Sequence, residues 1–383
     1  MKRKIACITG TRADYPRVRS VLKEIQTRDN LSLDIIVTGS HLLDEYGFSA
    51  QEILDDGFEI AKKVEMFVGE FDTPLGMAEA SSRCTAGIAR ALSDLNPDLV
   101  LITVDRVETL ASITAASLMN FPIAHIQGGE VTGTIDESIR HAVTKLSHIH
   151  FPATDDAAKR IIMMGEDEKY VFNTGCPYID EIIDLVPVDI NTLANRYNFD
   201  PQKEIIIFTQ HSVTTEHDES LGQVEETISA LENFQDHQII SLFSNTDAGG
   251  KKIIERIGKQ KNFIKIPNIV SKDFLSLMKH SSLMIGNSSA GIREAPSFNL
   301  PVINIGSRQN GRLRAKNVID VPHSEVEITK AIKFCLHNED FRESLVNMEN
   351  PYGNGTASTQ IVDILETIVL DRKLIQKEIC YDI

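Results

Sequence analysis

The chain has 383 residues, 42% of them hydrophobic, and a formal net charge of −16. That length suits about two domains, no apolar run is long enough to span a bilayer, and the acidity argues against general nucleic-acid or membrane-surface binding. An anionic ligand stays possible, because local arginines and helix N-termini can build a positive pocket inside an acidic protein.

Lys4–Thr9 reads as a buried strand, followed by the loop Gly10–Asp14 and a helix from about Tyr15 to Gln26 with Val18, Leu22 and Ile25 inward. The basic start MKRK gives way to this strand at once, so no targeting segment is expected. Leu31–Thr38 is the next strand. Residues 46–75 are mixed, and Phe67–Thr73 reads as a loop. A helix over about Gly76–Leu95 leads to the apolar strand Leu99–Val104, with Asp105-Arg106 at its end. A helix over Val107–Met119 and the short strand Pro122–Ile126 follow. His150–Ala153 reads as a strand, Asp155–Met164 as a helix, and Tyr170–Thr174 as a further strand. Strands alternating with helices imply a parallel, doubly wound sheet.

The stretch His125–Phe151, HIQGGEVTGTIDESIRHAVTKLSHIHF, is the densest in chemistry. Gly128-Gly129 permits a tight turn or close approach to a ligand. Thr134 and Glu137 fit a capping box, and Ile139, Ala142, Val143, Leu146 and Ile149 recur at helical spacing to form one apolar face. Asp136 then lies in a first helical turn just past a strand's carboxyl end, where open α/β sheets bind ligands. Arg140 is spaced to pair with Asp136 and hold it ionised. A capped helix with solvated charges explains any one of these residues equally well; their concentration favours a site.

A second alternation follows the segments Gly175–Tyr178 and Val186–Val188, with strands at Glu204–Thr209, Gln238–Phe243, Phe263–Ile266, Leu283–Ile285 and Pro301–Ile305. Polar groups again sit at strand ends: Gln210-His211, then Ser244–Gly249 with Asn245 and Asp247, then Gly286–Glu294. The last, GNSSAGIRE, resembles an anion cradle of small residues, hydroxyls and backbone N–H groups, although Ser and Asn also favour turns without a ligand. A final helix is expected over about Gly355–Lys377, packing on either domain. Domains are placed at 1–175, 186–354 and 355–383, the last free to cross back to the first. There is no G-x-x-x-x-G-K-[ST] loop and no G-x-G-x-x-G after the first strand, so Walker-type hydrolysis and standard dinucleotide binding are unsupported.

Five scattered cysteines without a C-x-x-C pair fit reduced thiols in a cytoplasmic protein. Among the histidines, His148 and His150 straddle a helix end and a strand start, and neither makes a metal set with nearby Cys. His141 reads as structural. His125 ends a strand and faces a possible cleft, and His211 leads a polar loop. No metal and no cofactor is expected.

GTRADY (Gly10–Tyr15), Asp105-Arg106, GGEVTGTIDESIRHAVTKLSHIH (Gly128–His150), QHSVTT (Gln210–Thr215), NTDAG (Asn245–Gly249) and GNSSAGIREAP (Gly286–Pro296) together resemble the hydrolysing UDP-N-acetylglucosamine 2-epimerases. The resemblance runs in order from about residue 4 to residue 355. It implies an α/β fold of two doubly wound parallel-sheet domains, glycosyltransferase-B-like, with the active site in the interdomain cleft. It implies conversion of a UDP-N-acetylhexosamine and water to UDP and the 2-epimeric sugar, such as N-acetylmannosamine, for sialic-acid-type synthesis. The partner is a UDP-sugar, with neither nucleic acid nor membrane involved, and a homodimer is the family expectation. Asp105 and Asp136 match acidic positions near the sugar, and Glu130 is a third carboxylate available for proton transfer. Arg12, His211, Ser288, Ser289 and Glu294 match positions that hold UDP or its phosphates, and Arg106, Arg140, Asn245, Asp247, Arg293 and Arg312 join them as UDP or sugar candidates.

Two departures stand out. Gln127 occupies a position where the family usually has a proton-transferring Glu, and Val104 one where it usually has Gly. Gln is neither acid nor base near neutral pH. The base has moved to Glu130 or Asp136, the substrate is a different sugar such as UDP-2,4-diacetamido-2,4,6-trideoxyglucose, or the chain is a catalytically silent UDP-sugar-binding protein. The first two fit together, since the other acids and anion-binding groups are intact. A related glycosyltransferase is a further reading; the acids at Glu130 and Asp136 speak instead for proton chemistry at C2.

Overall fold

The computed structural model describes residues 2–11, 14–43, 49–69, 71, 73–131, 135–213, 216, 218–243, 250–267 and 269–380. Arg12, Thr134, Asn245 and Asp247 lie outside the described residues, as does the side chain of Asp136. The chain forms two units, Met1–Glu181 joined by Tyr352–Ile383, and Ile182–Pro351.

The first unit holds six strands, β1 (Arg3–Thr9), β2 (Leu31–Thr38), β3 (Ile60–Val64), β4 (Leu99–Thr103), β5 (Ile123–Ile126) and β6 (Ile149–Phe151). They form one parallel sheet in the order β3-β2-β1-β4-β5-β6. Every residue of β4 and β5 is buried, as expected for a parallel sheet covered on both faces. Alternate residues divide the two cores. Ile5 and Cys7 pack with the Arg19–Thr27 helix, while Ala6 and Ile8 pack with the Pro74–Leu95 and Val107–Leu118 helices.

The second unit repeats the plan with β7 (Ile205–Thr209), β8 (Gln238–Leu242), β9 (Phe263–Ile266), β10 (Leu283–Gly286), β11 (Val302–Ile305) and β12 (Val318–Val321). Its parallel order, β12-β11-β10-β7-β8-β9, has the same topology: the first and fourth strands of each sheet are neighbours at its centre.

The chain returns to the first unit near Tyr352, whose carbonyl accepts the Cys176 N–H at 2.6 Å. The Ala357–Thr367 helix then buries Ile361, Val362 and Leu365 beside Val21, Leu22 and Ile25. Asp180 caps its start, accepting from Ala357 N at 3.1 Å and Ser358 N at 2.6 Å.

Four local expectations change. The edge strands β3 and β12 were hidden by their polar composition, IAKKV and VIDV. The strand expected over Tyr170–Thr174 is reduced to a bridge between Val171 and His150, because Glu168–Tyr170 closes a 3-10 turn. The strand expected over His150–Ala153 is β6, which begins at Ile149 and ends at Phe151, so Ile149 opens a strand instead of extending the preceding helix's apolar face. The long last helix stops at Thr367 and a short turn, Arg372–Ile375, resumes after Asp371 caps Leu374 N at 3.0 Å.

Candidate functional site

In a sheet of this order the central pair of strands, β1/β4 or β7/β10, is where the connections turn opposite ways and the carboxyl ends leave a crevice. The candidate residues gather at these ends.

In the first unit, the turn after β1 is tied by Asp14, whose carboxylate accepts from Gly10 N at 3.0 Å and Thr11 N at 2.7 Å. Asp14 is thus a brace for the loop that carries Arg12. Beside it Glu108 is buried against Gly10, where an added Cβ would meet the Glu108 Cβ at 2.7 Å. Arg106, half exposed, reaches Glu108 at 3.7 Å.

The ends of β4 and β5 carry an unusual backbone. Val104 has φ 59° and Gln127 φ 66°, both left-handed. For a β-branched residue that conformation is a genuine outlier, costing roughly 1–2 kcal/mol more than for glycine. Glycine is what the family resemblance leads one to expect at 104, and the backbone now gives the reason. His125, fully buried, donates from Nε2 to the Val104 carbonyl at 2.8 Å. Its ring lies over Gly128, where an added Cβ would approach Nδ1 at 2.9 Å. Burial, partly offset by the bond to Val104, pushes His125 down to about 3, so the ring is neutral and holds its tautomer for that carbonyl. His125 therefore braces the turn that presents Asp105.

Asp105 is ion-paired with Arg140, whose guanidinium is buried and also donates to the Glu130 carbonyl and to Glu137 Oε2, each at 2.7 Å. One arginine thus joins the end of β4, the turn after β5 and the first turns of the Ile135–Leu146 helix. The sequence pointed Arg140 at Asp136, whose side chain lies outside the described residues; among the described residues its partners include Asp105 and Glu137. Gln127 has its own clamp. Arg17 donates to its Oε1 at 2.9 Å, and its Nε2 donates to Cys176 Sγ at 2.6 Å. The amide is fixed in one orientation by groups on both sides.

In the second unit the crevice is closed by a peptide-like pair. Asn287 Oδ1 accepts His211 N–H at 2.7 Å and Asn287 Nδ2 donates to the His211 carbonyl at 2.8 Å. Gly286 has φ 132°, and a Cβ there would overlap the Thr209 carbonyl; only glycine lets β7 and β10 come this close. Ser288 and Ser289 are half-buried at the start of Ala290–Arg293, a helix of only four residues, with Ser288 Oγ accepting Ala290 N–H at 3.3 Å. That helix is a single turn running into a 3-10 turn at Ala295–Phe298. Arg293 and Glu294 are buried within it. Arg312 follows β11 in a basic segment, in which Arg308 and Gln309 donate to the Asn287 carbonyl at 3.1 and 2.8 Å.

Asp105, Glu130 and Arg140 are therefore assembled in the first unit, with Gln127 on the same turn, and His211 and Ser288 in the second. Sequence reasoning missed Arg17, Cys176, Asn287, Arg308 and Gln309. Asn287 stood inside a quoted motif but was passed over for its serines. Arg17 and Cys176 carry no local signal, since they meet Gln127 only through the fold. Among the described residues, no helix is long and apolar enough to cross a membrane.

These two sheets, with acids on one set of strand ends and amides and hydroxyls on the other, place the chain among known proteins. Its fold matches the crystal structure of UDP-GlcNAc 2-epimerase from Neisseria meningitidis bound to UDP-GlcNAc, with TM-score 0.83 and 21% identity over 94% of this chain and 99% of that one; the fold is glycosyltransferase-B-like. It is 38% identical over 380 residues to a UDP-N,N'-diacetylbacillosamine 2-epimerase (hydrolyzing) of Legionella pneumophila, covering 98% of this chain and 99% of the relative. It is 34% identical over 334 residues to a UDP-N-acetylglucosamine 2-epimerase of Neisseria meningitidis serogroup B, covering 86% and 87%. Residues 23–366 match the family described as UDP-N-acetylglucosamine 2-epimerase, and with that match over most of its length the chain belongs to the UDP-N-acetylglucosamine 2-epimerase family.

Proposed function

We propose that this protein is a hydrolysing 2-epimerase of a UDP-2-acetamido sugar, giving UDP and the free 2-epimer. The reaction begins with loss of the C2 proton to a base as the C1–O bond to UDP breaks, which leaves a 2-acetamidoglycal. Water then adds its hydroxyl at C1, and a proton returns to C2 on the opposite face. Each half needs a positioned proton donor or acceptor, and the departing diphosphate needs cationic and N–H donors.

The observation that carries the reading is the fixed acid set at the ends of β4 and β5, where buried Arg140 orders Asp105 and the Glu130 turn. Asp105, Glu130 and Asp136 are the proton-transfer candidates. Arg12, Arg106, His211, Asn245, Asp247, Ser288, Ser289, Arg293, Glu294 and Arg312 are assigned to UDP and sugar. Arg17 holds Gln127 by its oxygen, so Gln127 serves as an oriented hydrogen-bonding group and the acid–base work falls to the three carboxylates. The binding-only reading raised by Gln127 is not favoured, since relatives matched over most of their length are named as epimerases.

A second substrate reading has a specific support: the Legionella relative is named for UDP-N,N'-diacetylbacillosamine, the 4-acetamido-6-deoxy sugar class. Proton NMR in deuterated water, with UDP-N-acetylglucosamine and the diacetamido sugar nucleotide compared in parallel, tests both. Release of UDP and a 2-epimer deuterated at C2 is expected, with the larger kcat/KM naming the substrate. UDP release with the C2 proton retained, or no turnover of either, would sink the proposal. Asp136→Asn is expected to release glycal; unchanged turnover removes Asp136 from the proton-transfer set.

A further inference from the structure

The helix that carries Glu137 and Arg140, Ile135–Leu146, ends without a glycine; the Ser147 N–H serves the Val143 carbonyl at 3.0 Å and reaches that of Thr144 at 3.3 Å, and the carbonyls beyond them need a partner from outside the helix. The partner arrives from the other end of the chain. Lys377 Nζ donates to the carbonyls of Lys145 at 2.9 Å and Ser147 at 2.6 Å, lies 3.4 Å from that of Thr144, and ion-pairs with Glu166. An ammonium has three donors, and the carboxylate and the two nearer carbonyls use all of them. A cation at this end also complements the helix dipole.

Glu166 is itself buried and accepts Lys145 Nζ at 2.6 Å and His150 Nε2 at 3.1 Å. Burial alone would raise Glu166, yet its bonds to His150, Lys145 and Lys377 hold it down to about 2. The segment bearing Lys377 is pinned on both sides: Leu374 is buried in the core of the first unit, and Cys380 N–H donates to the Gly165 carbonyl at 3.1 Å. Its neighbours Arg372 and Lys373 are exposed and make no ion pair among the described residues, so the segment directs one cation inward. This cluster walls a cavity of about 610 Å³ with His148, Tyr170 and Leu374, at the amino end of β6 and sharing no residue with the carboxyl-end groups above.

We propose that Lys377 is a positioning residue for the acid cluster: it caps the Ile135–Leu146 helix from behind and so fixes the Arg140 guanidinium that orders Asp105 and the Glu130 turn. A helix of 12 residues is marginal by itself in water, and Arg140 stands only six residues, about 9 Å, from its capped end. Loosening that end shifts the one side chain that joins three elements of the site. The inference rests on the proposed function in that the acid cluster is taken to perform the chemistry.

The test compares full-length Lys377→Met, Lys377→Arg and Lys373→Met. Lys377→Met keeps the aliphatic stem and removes the donors. It is expected to lower kcat about tenfold, with KM for the UDP-sugar within twofold, and to speed amide exchange across residues 139–146 by about tenfold, the scale of one lost helix-end charge. Lys377→Arg is expected to recover most of both, and Lys373→Met to match the parent. A lower Tm with kcat and helix exchange unchanged would make Lys377 merely structural and overturn the proposal, as would an equal loss in Lys373→Met. If the parent turns over no UDP-sugar, the functional reading fails by itself; unchanged exchange in Lys377→Met still overturns the cap.

Discussion

The two sheets share one strand order, yet their central crevices are built from opposite materials. In the first unit the ends of β4 and β5 are charged and strained: Asp105 and Arg140 in ion pair, Val104 and Gln127 left-handed without being glycine. In the second unit the ends of β7 and β10 are neutral and close: Gly286 against the Thr209 carbonyl, Asn287 bonded to both backbone groups of His211. Backbone strain is kept where groups must be aimed, whereas a rigid bed of amides suits the cradling of a diphosphate. The same topology thus supports two kinds of surface because the sheet fixes only where the ends lie.

The largest expected contrast comes from one methyl group. Gly286→Ala forces a Cβ into the Thr209 carbonyl, and a loss of about 3 kcal/mol or more in stability is expected, read by thermal unfolding together with loss of UDP binding. Val104→Ala, at the corresponding strand end, is expected to stay within about 1 kcal/mol of the parent, since the left-handed conformation is already occupied by a bulkier residue. Equal losses at the two positions would erase the distinction.

A functional contrast comes next. Asp105→Asn is expected to reduce turnover by about 10²–10⁴-fold with UDP affinity kept. Asn287→Ala is expected to weaken UDP binding by about tenfold, roughly one lost hydrogen-bonded pair, with a smaller effect on kcat at saturation. Calorimetry with UDP and steady-state rates separate the two, and the reverse pattern would exchange the roles of the units.

The last contrast is in acid stability. The first unit buries His41, His125, His148 and His150, all shifted downward chiefly by desolvation, His125 to about 3 and His148 to about 4. Below the ordinary value of 6.5 the unfolded chain takes up protons that the folded unit refuses, so stability is full above pH 6.5 and declines as pH falls toward these lower values. Glu166 has the other window: its contribution is present above 4.5 and is lost as pH falls toward about 2. Tm is therefore expected to drop between pH 7 and 5, with amide exchange rising first in the first unit, and His148→Asn is expected to flatten the slope. A level Tm across that range would contradict it.

The strand alternation was legible because buried parallel strands such as LVLIT and IIIFT are unbroken apolar runs. The edges β3 and β12 were not, since lysine and aspartate mask their pairing. In the site, Asp105, Glu130, His211 and Ser288 were visible as polar residues at strand ends. Their partners were not: Arg17 lies 110 positions from Gln127, and Asn287 lies 76 from His211. Spacing rules reach a few residues, while these pairs are created by the crossing of the chain. Val104 was noticed as a departure from the family, but only the backbone angle explains what glycine would have contributed.

The return of the chain at Tyr352 has a consequence for biosynthesis. The second unit is one continuous stretch, whereas the first waits for the Ala357–Thr367 helix to fill its core and for Lys377 to reach the end of Ile135–Leu146. On a ribosome, which releases the chain from the amino end, the half begun first is the half finished last. Ile361, Val362 and Leu365 join a core in which Val21, Leu22 and Ile25 are made more than 300 residues earlier, so that core closes only after Leu365 has emerged.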